Sequence, residues 1–512
     1  MKVIWVSVAL LTAAGAAGAA PLSPVSLADA AEAGETSPAI ALINQGADVN
    51  APQSDGTTAL MWAAHRDDRP LIERLLEAHA NVKAVNDYGA SALSEAARFG
   101  DTVVIRELLK VGADPDSPNA DGETALMLVA RTGNVPAAEL LIRYGAHVDA
   151  REKVRGQTAL HWAAAESQAG MVRLLLRHHA DPNTRSLLNL DRRQVSSEPR
   201  IQWQPPGGLT PLLYAAREGC LQCVEYLVKG GADPNLPDPD GISPLLIATE
   251  NFHFDVAAYL LGHGADPNHW DWWGRTPLYA AVDLDTLPTG GRADHISLDN
   301  TTCLEMIQLL LDAGANPNAQ LKLFPPFRAI GADRGADLML TIGTTPLIRA
   351  AKAGDTAAIR LLLAHGASPS LPNSLGITPL MAAAGLGSDD VDTRGAYVTQ
   401  QESIAAIGLL LAAGTDINAV DNRGQSALHG AAYRGWDDVI QYLVAHHADL
   451  YVRDARGFTP IDTALGRSDG HGRGHSQFVE HAETAALLRQ LMARQAKTAR
   501  ISPPVRAAST VL

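Results

Sequence analysis

The chain has 512 residues, 46% of them hydrophobic, three cysteines and a formal net charge of −15. Nucleic-acid binding is driven by basic patches, so an acidic balance argues against that class. It favours solubility and a mild preference for basic partner surfaces.

The N-terminus opens with Met1-Lys2, continues with an apolar run from Val3 to Ala14, and ends in small residues from Gly15 to Ala20. A basic start, a short apolar core and a small-residue site describe a secretory signal peptide over residues 1–20, cut near Ala19 or Ala20. The apolar run is too short for a membrane span, and no later segment offers 18 uninterrupted apolar residues. No cysteine follows the signal to carry a lipid anchor. The alanine-rich signal points to a bacterial periplasm, with secretion to the medium as the alternative.

Residues 22–54 are expected to form a capping helix pair, Leu27 to Ala33 and Ser37 to Gln45, with Pro38 at a first helical position. From 55 to 465 one phrase recurs, Gly-x-Thr/Ser-Pro/Ala-Leu/Ile. Its glycines are Gly56, Gly89, Gly122, Gly156, Gly208, Gly241, Gly274, Gly343, Gly376, Gly424 and Gly457. Most steps between them are 33 or 34 residues, and a fixed period in this range means a stacked array of repeats. In the unit from Gly122 to Asp149, Thr124 is placed to cap a first helix reaching Arg131, and Gly133 breaks it. A second helix follows from Pro136 to Arg143, and Gly145 suits a left-handed turn after it.

Gly274–Leu278, Gly376–Leu380, Leu160-His161-Trp162-Ala163-Ala164 and the Gly-Ala-Asp-Pro-Asn turns at Gly231 and Gly264 resemble the ankyrin repeat family. The resemblance spans roughly residues 22–494. It implies an all-α solenoid of about twelve helix pairs with short β-hairpin fingers, whose usual work is to bind proteins. His79, His179 and His447 stand where the family has glycine after the second helix. Histidine tolerates positive φ, so the turn survives. The finger aspartates Asp48, Asp114, Asp149, Asp181, Asp233, Asp266 and Asp416 read as turn caps.

Three steps are long: 52, 69 and 48 residues. They place insertions near 184–207 and 319–342 in fingers, on one edge, and near 284–302 and 386–401 between paired helices, on the other. Loops of this length are functional or disordered. A further insert opens the stretch 466–494, before the last helix, and carries His471 and His475; a polar loop is the simpler reading than a metal site. Residues 495–512 read as a disordered tail.

No nucleophile elbow, HExxH, phosphate loop or dinucleotide fingerprint occurs, which leaves catalysis without a residue to carry it. No cofactor or metal is implied. Cys220-Leu221-Gln222-Cys223 has CxxC spacing, but without a second such pair a four-cysteine zinc site is excluded. With Cys303, these cysteines read as small buried hydrophobes. A local disulfide, or a redox or metal-handling role, is the competing reading.

The sharpest local feature is His269-Trp270-Asp271-Trp272-Trp273-Gly274, a finger with three of the eight tryptophans. Tryptophan is enriched at binding hot spots. Trp270, Trp272, Trp273 and Arg275, with Trp203, Phe324 and Phe327 of the finger inserts, are the expected contacts to an unknown protein partner. The competing reading is a satellite core, with the 319–342 insert folded over the tryptophans. Trp62, Trp162, Tyr214 and Tyr433 read as packing residues of first helices. The function expected is a monomeric, exported protein–protein interaction module without catalysis; a secreted effector acting on host proteins is the alternative.

Overall fold

The computed structural model describes residues 26–188, 207–286, 297, 299–323, 341–387, 398–467 and 480–501, with side chains to residue 497. The expected signal peptide, most of each insert, and Trp203, Phe324, Phe327, His471 and His475 lie outside the described residues.

Among the described residues there are twenty-four helices, from Leu27–Ala33 to Ala482–Ile501, which makes twelve pairs. The boundaries follow local chemistry. Thr276 caps the helix Pro277–Asp285, its hydroxyl accepting the Tyr279 N–H at 3.2 Å. Pro277 at the first helical position loses no needed hydrogen bond, and Leu278 behind it is fully buried. Asp68, Asp101 and Asp355 cap second helices in the same way. The histidines at 79, 179 and 447 adopt φ of 61°, 63° and 72°, the left-handed turn that glycine supplies elsewhere.

The chain divides into two compact units, Met1–Val129 with Pro136–His147, and Ala130–Val135 with Val148–Leu512. In the first unit, first helices stack on first helices: Leu27–Ala33 on Ala59–His65, and that on Ala92–Phe99. In the second unit the stack passes through the long steps unbroken. Ala159–Ala165 packs on Pro211–Arg217, and Pro277–Asp285 on Pro346–Ala353, although an insert separates each pair in sequence. The core is a row of buried aliphatics such as Leu174, Leu227, Leu260, Leu310 and Leu362, each contributing about 1.5–3 kcal/mol by burial.

A set of side-chain hydrogen bonds joins neighbouring repeats. At the turns after second helices, the amide of one asparagine links two repeats. Asn268 accepts the Asn316 N–H at 2.7 Å and donates to the Gly314 carbonyl at 3.0 Å. Asn183, Asn235, Asn318 and Asn418 repeat this arrangement in the second unit. The turn aspartates do what the sequence implies: Asp181, Asp233 and Asp266 each accept the N–H two residues on.

The fingers differ from expectation in one respect. Among the described residues they form no strand, only one isolated antiparallel bridge, Leu188 with Gly207. Eight of the eleven fingers close across four residues, as Asp271 N–H to Arg275 O at 3.1 Å does, which leaves no length for a ladder. The last helix also runs to Ile501, six residues past the start of the expected disordered tail at 495.

Candidate functional site

Several fingers are built around one acceptor three residues before the glycine. Asp238, Asp271, Asn373, Asp421 and Asp454 all accept the N–H groups two and four residues later. At the tryptophan finger, Asp271 Oδ1 takes the Trp273 N–H at 3.0 Å and the Arg275 N–H at 2.8 Å. Its other oxygen takes the Arg275 Nε–H at 2.7 Å. The Arg275 guanidinium also pairs with Glu250, at the end of the helix Pro244–Glu250.

This arrangement sorts the four expected contact residues of the finger into two groups. Trp273 is 7% exposed and Arg275 4%, with the guanidinium 5.3 Å from the Trp273 ring. Neither is offered to a partner, which corrects the expectation for both. Arg275 stands at the variable position of the repeated phrase, which is buried or half-buried in every finger, whereas Trp273 is covered at a place where Tyr88, Asp121, Arg423 and Arg456 stay exposed. Trp270 and Trp272 are 49% and 63% exposed. The finger therefore splits the two sequence readings: one tryptophan joins the interior, and two stand out.

Backbone contacts fix the tip on both sides. Trp272 N–H donates to Asp240 O of the preceding finger at 2.7 Å, and Lys322 N–H of the following finger donates to Trp273 O at 2.8 Å. Gly274 has φ +82°, and a Cβ there would fall 2.7 Å from Lys322 N, so only glycine fits this approach. Lys322 Nζ lies over the Trp270 ring, 3.1 Å from its centroid, a cation–π contact that orders the ring. Leu321 is buried below, while Leu323 is exposed beside the tryptophans.

Glu250 sits among charges. Burial, with the carboxylates of Asp271, Asp283 and Asp238, pushes its pKa up to about 7 against the attraction of Arg275. Asp283 pairs in turn with Arg349, which is fully buried. Sequence reading missed this interior network because its members belong to different repeats. Asp271 could have been found, since an Asp or Asn recurs at that place in finger after finger.

The aromatic residues of first helices pack as expected. Trp62 Nε1–H donates to Gln53 at 2.7 Å, Gln157 donates to the Tyr214 hydroxyl at 2.6 Å, and Arg131 lies 5.4 Å over Trp162. Cys223 is fully buried, but Cys220 and Cys223 are disulfide-bonded, which corrects the reading of free hydrophobes; Cys303 is free. Among the described residues no group of three His, Cys, Asp or Glu side chains is placed to hold a metal ion, and no helix is long and apolar enough to cross a membrane.

A family model described as ankyrin repeats (3 copies) matches residues 27–119, 93–186, 212–321, 295–392 and 396–479. No match was found among curated proteins. Among solved structures, the crystal structure of the human ASB11 ankyrin repeat domain is similar at 23% identity and a TM-score of 0.38, over 48% of this chain and 100% of that one. Repeats of this kind make protein–protein interaction modules, and the chain belongs to the ankyrin repeat family.

Proposed function

We propose that this chain is an exported interaction module that holds a protein partner at the tip of its tryptophan finger. The observation that carries the reading is the exposure of Trp270 and Trp272 on a tip otherwise fixed by buried groups. Large aromatic side chains kept in water have an unfavourable hydration that a partner relieves. Truncating such a hot-spot residue costs about 2 kcal/mol or more of binding. Because the tip is already ordered by Asp271, Asp240 and Lys322, association loses little further conformational entropy.

Leu323 extends the apolar surface at the start of the 319–342 finger insert, and Phe324 and Phe327 follow it in sequence. The partner accordingly carries an apolar patch, and the acidic chain favours a basic rim around it. Delivery by the N-terminal signal places the meeting in a bacterial periplasm.

Two measurements test the proposal. Fractionation of the native organism should find the chain in the periplasm, shortened by about 20 residues, a length typical of signal peptides. A full-length chain in the cytoplasm would remove the export part. A partner retained by the intact chain should be lost by the Trp270→Ala, Trp272→Ala double variant, and equal retention would remove the finger.

A further inference from the structure

We propose that Cys220 and Cys223 form a reversible thiol–disulfide site that exchanges with dithiols, an activity separate from partner binding at the finger.

The place in the fold is specific. Cys220 is the capping residue of the second helix Leu221–Lys229, and its Sγ accepts the Cys223 N–H at 3.2 Å. In three other repeats this position holds a carboxylate: Asp68, Asp101 and Asp355 each accept one or two N–H groups of the helix that follows. An anion is accommodated at this position, and a thiolate released there keeps the Cys223 N–H and gains the positive end of the helix.

Exposure assigns the roles. Cys220 is half-buried and open to attack, whereas Cys223 is wholly enclosed in the core. The His253 ring, on the capping residue of the next second helix, packs against Gly219; a Cβ on Gly219 would lie 2.4 Å from its Nδ1. An imidazole ring therefore lies against the residue before Cys220, next in sequence to the Arg217–Glu218 ion pair. Cys303 supplies the contrast. Its Sγ donates to the Ala281 carbonyl at 3.2 Å, and burial with the carboxylates of Asp285 and Asp355 pushes its pKa up, so it is a poor nucleophile.

A staple role explains the bond poorly. Disulfides stabilise mainly by closing long loops, and this one links residues three apart in a turn that the aspartate-capped repeats close without a covalent link.

A thiolate of the substrate dithiol attacks Cys220 Sγ. The bond between the cysteines breaks, its electron pair remains on Cys223 Sγ, and that sulfur takes a proton. The second substrate thiol gives up its proton and attacks the substrate sulfur of the mixed disulfide, returning the electron pair to Cys220. Two electrons pass to the cysteine pair, and the substrate leaves as a disulfide. A disulfide substrate drives the reverse.

The test uses the full chain in its native fold. The protein is equilibrated across ratios of reduced to oxidised dithiothreitol, trapped by alkylation and weighed, with circular dichroism read in parallel. The expected result is one reversible two-electron transition with no loss of helix. In the Cys223→Ser variant, Cys220 should react with an aromatic disulfide reagent at pH 7 at least about ten-fold faster than free cysteine. A parallel arm offers a reduced two-cysteine peptide: oxidation of the peptide extends the substrate to polypeptides, and oxidation of dithiothreitol alone assigns a small dithiol. A bond that resists dithiothreitol until the helices melt would overturn the proposal. So would a Cys220 thiol no faster than free cysteine in a folded variant. If Cys223→Ser does not fold, the titration of the intact chain decides alone.

Discussion

Asp271 and Arg275 stand four residues apart and share three hydrogen bonds, one between backbone groups, one from the Arg275 N–H to the carboxylate and one from the guanidinium. The finger that carries the exposed tryptophans is shaped by this pair. Removing one member of a buried ion pair costs about 3–5 kcal/mol, because the other is left uncompensated. Asp271→Ala is therefore expected to lower stability in urea unfolding by that amount and to disorder the tip. Asp271→Asn keeps the acceptor for two N–H groups and should cost less. Equal losses in the two variants would mean that the charge, and not the turn, is what matters.

The asparagine links predict a smaller effect. Asn268→Ala removes one accepted and one donated hydrogen bond between turns 48 and 46 residues apart in sequence. With about 1 kcal/mol net for each bond, a loss of about 1–2 kcal/mol is expected. Amide exchange should quicken at Asn316. Unchanged exchange there would show that the turns are held by helix packing alone.

Acid should weaken the second unit through His161. Its Nδ1 accepts the Thr158 N–H and its Nε2–H donates to the Leu209 carbonyl, so the neutral ring is built in. Burial, only partly offset by the Leu209 carbonyl, pushes its pKa down to about 4 from an ordinary 6.5. A base with a depressed folded pKa contributes stability that is complete above pH 6.5 and lost as pH falls towards 4. The loss amounts to about 3 kcal/mol at about 1.4 kcal/mol per pH unit. His429, in the equivalent place and shifted the same way by burial, adds to the loss. Urea midpoints compared at pH 7 and pH 4.5 should show a drop that is smaller in His161→Leu.

Leu174 lies in the middle of a second helix and is fully buried. Leu174→Ala should cost about 2–5 kcal/mol by leaving a cavity. A loss under about 1 kcal/mol would place the register of that repeat in error.

The repeat, its register and the helix pairs were legible because each is written locally. The phrase around Gly274 contains its own glycine turn, threonine cap and proline start, and repetition multiplies the signal. The direction of individual finger side chains was not. Trp272 and Trp273 are neighbours of one type in one turn, and nothing in their spacing tells that the second is covered while Tyr88, Arg423 and Arg456, at the same place in their fingers, stay exposed. Arg275 looked like a surface charge, because its partner Glu250 lies 25 residues earlier in the preceding repeat. The disulfide was one of two readings of the CxxC spacing; the burial of Cys223 suits both, and the half-open Cys220 at the helix start separates them.

The central claim is that Trp270 and Trp272 are a contact surface and Trp273 is interior. The most direct measurement compares partner capture and Tm for the intact chain, the Trp270→Ala, Trp272→Ala double variant, and Trp273→Ala. The account predicts that the double variant loses the partner at nearly unchanged Tm, while Trp273→Ala lowers Tm because a buried tryptophan is worth about 3–5 kcal/mol. A double variant that melts early, or one that still captures the partner, would contradict it.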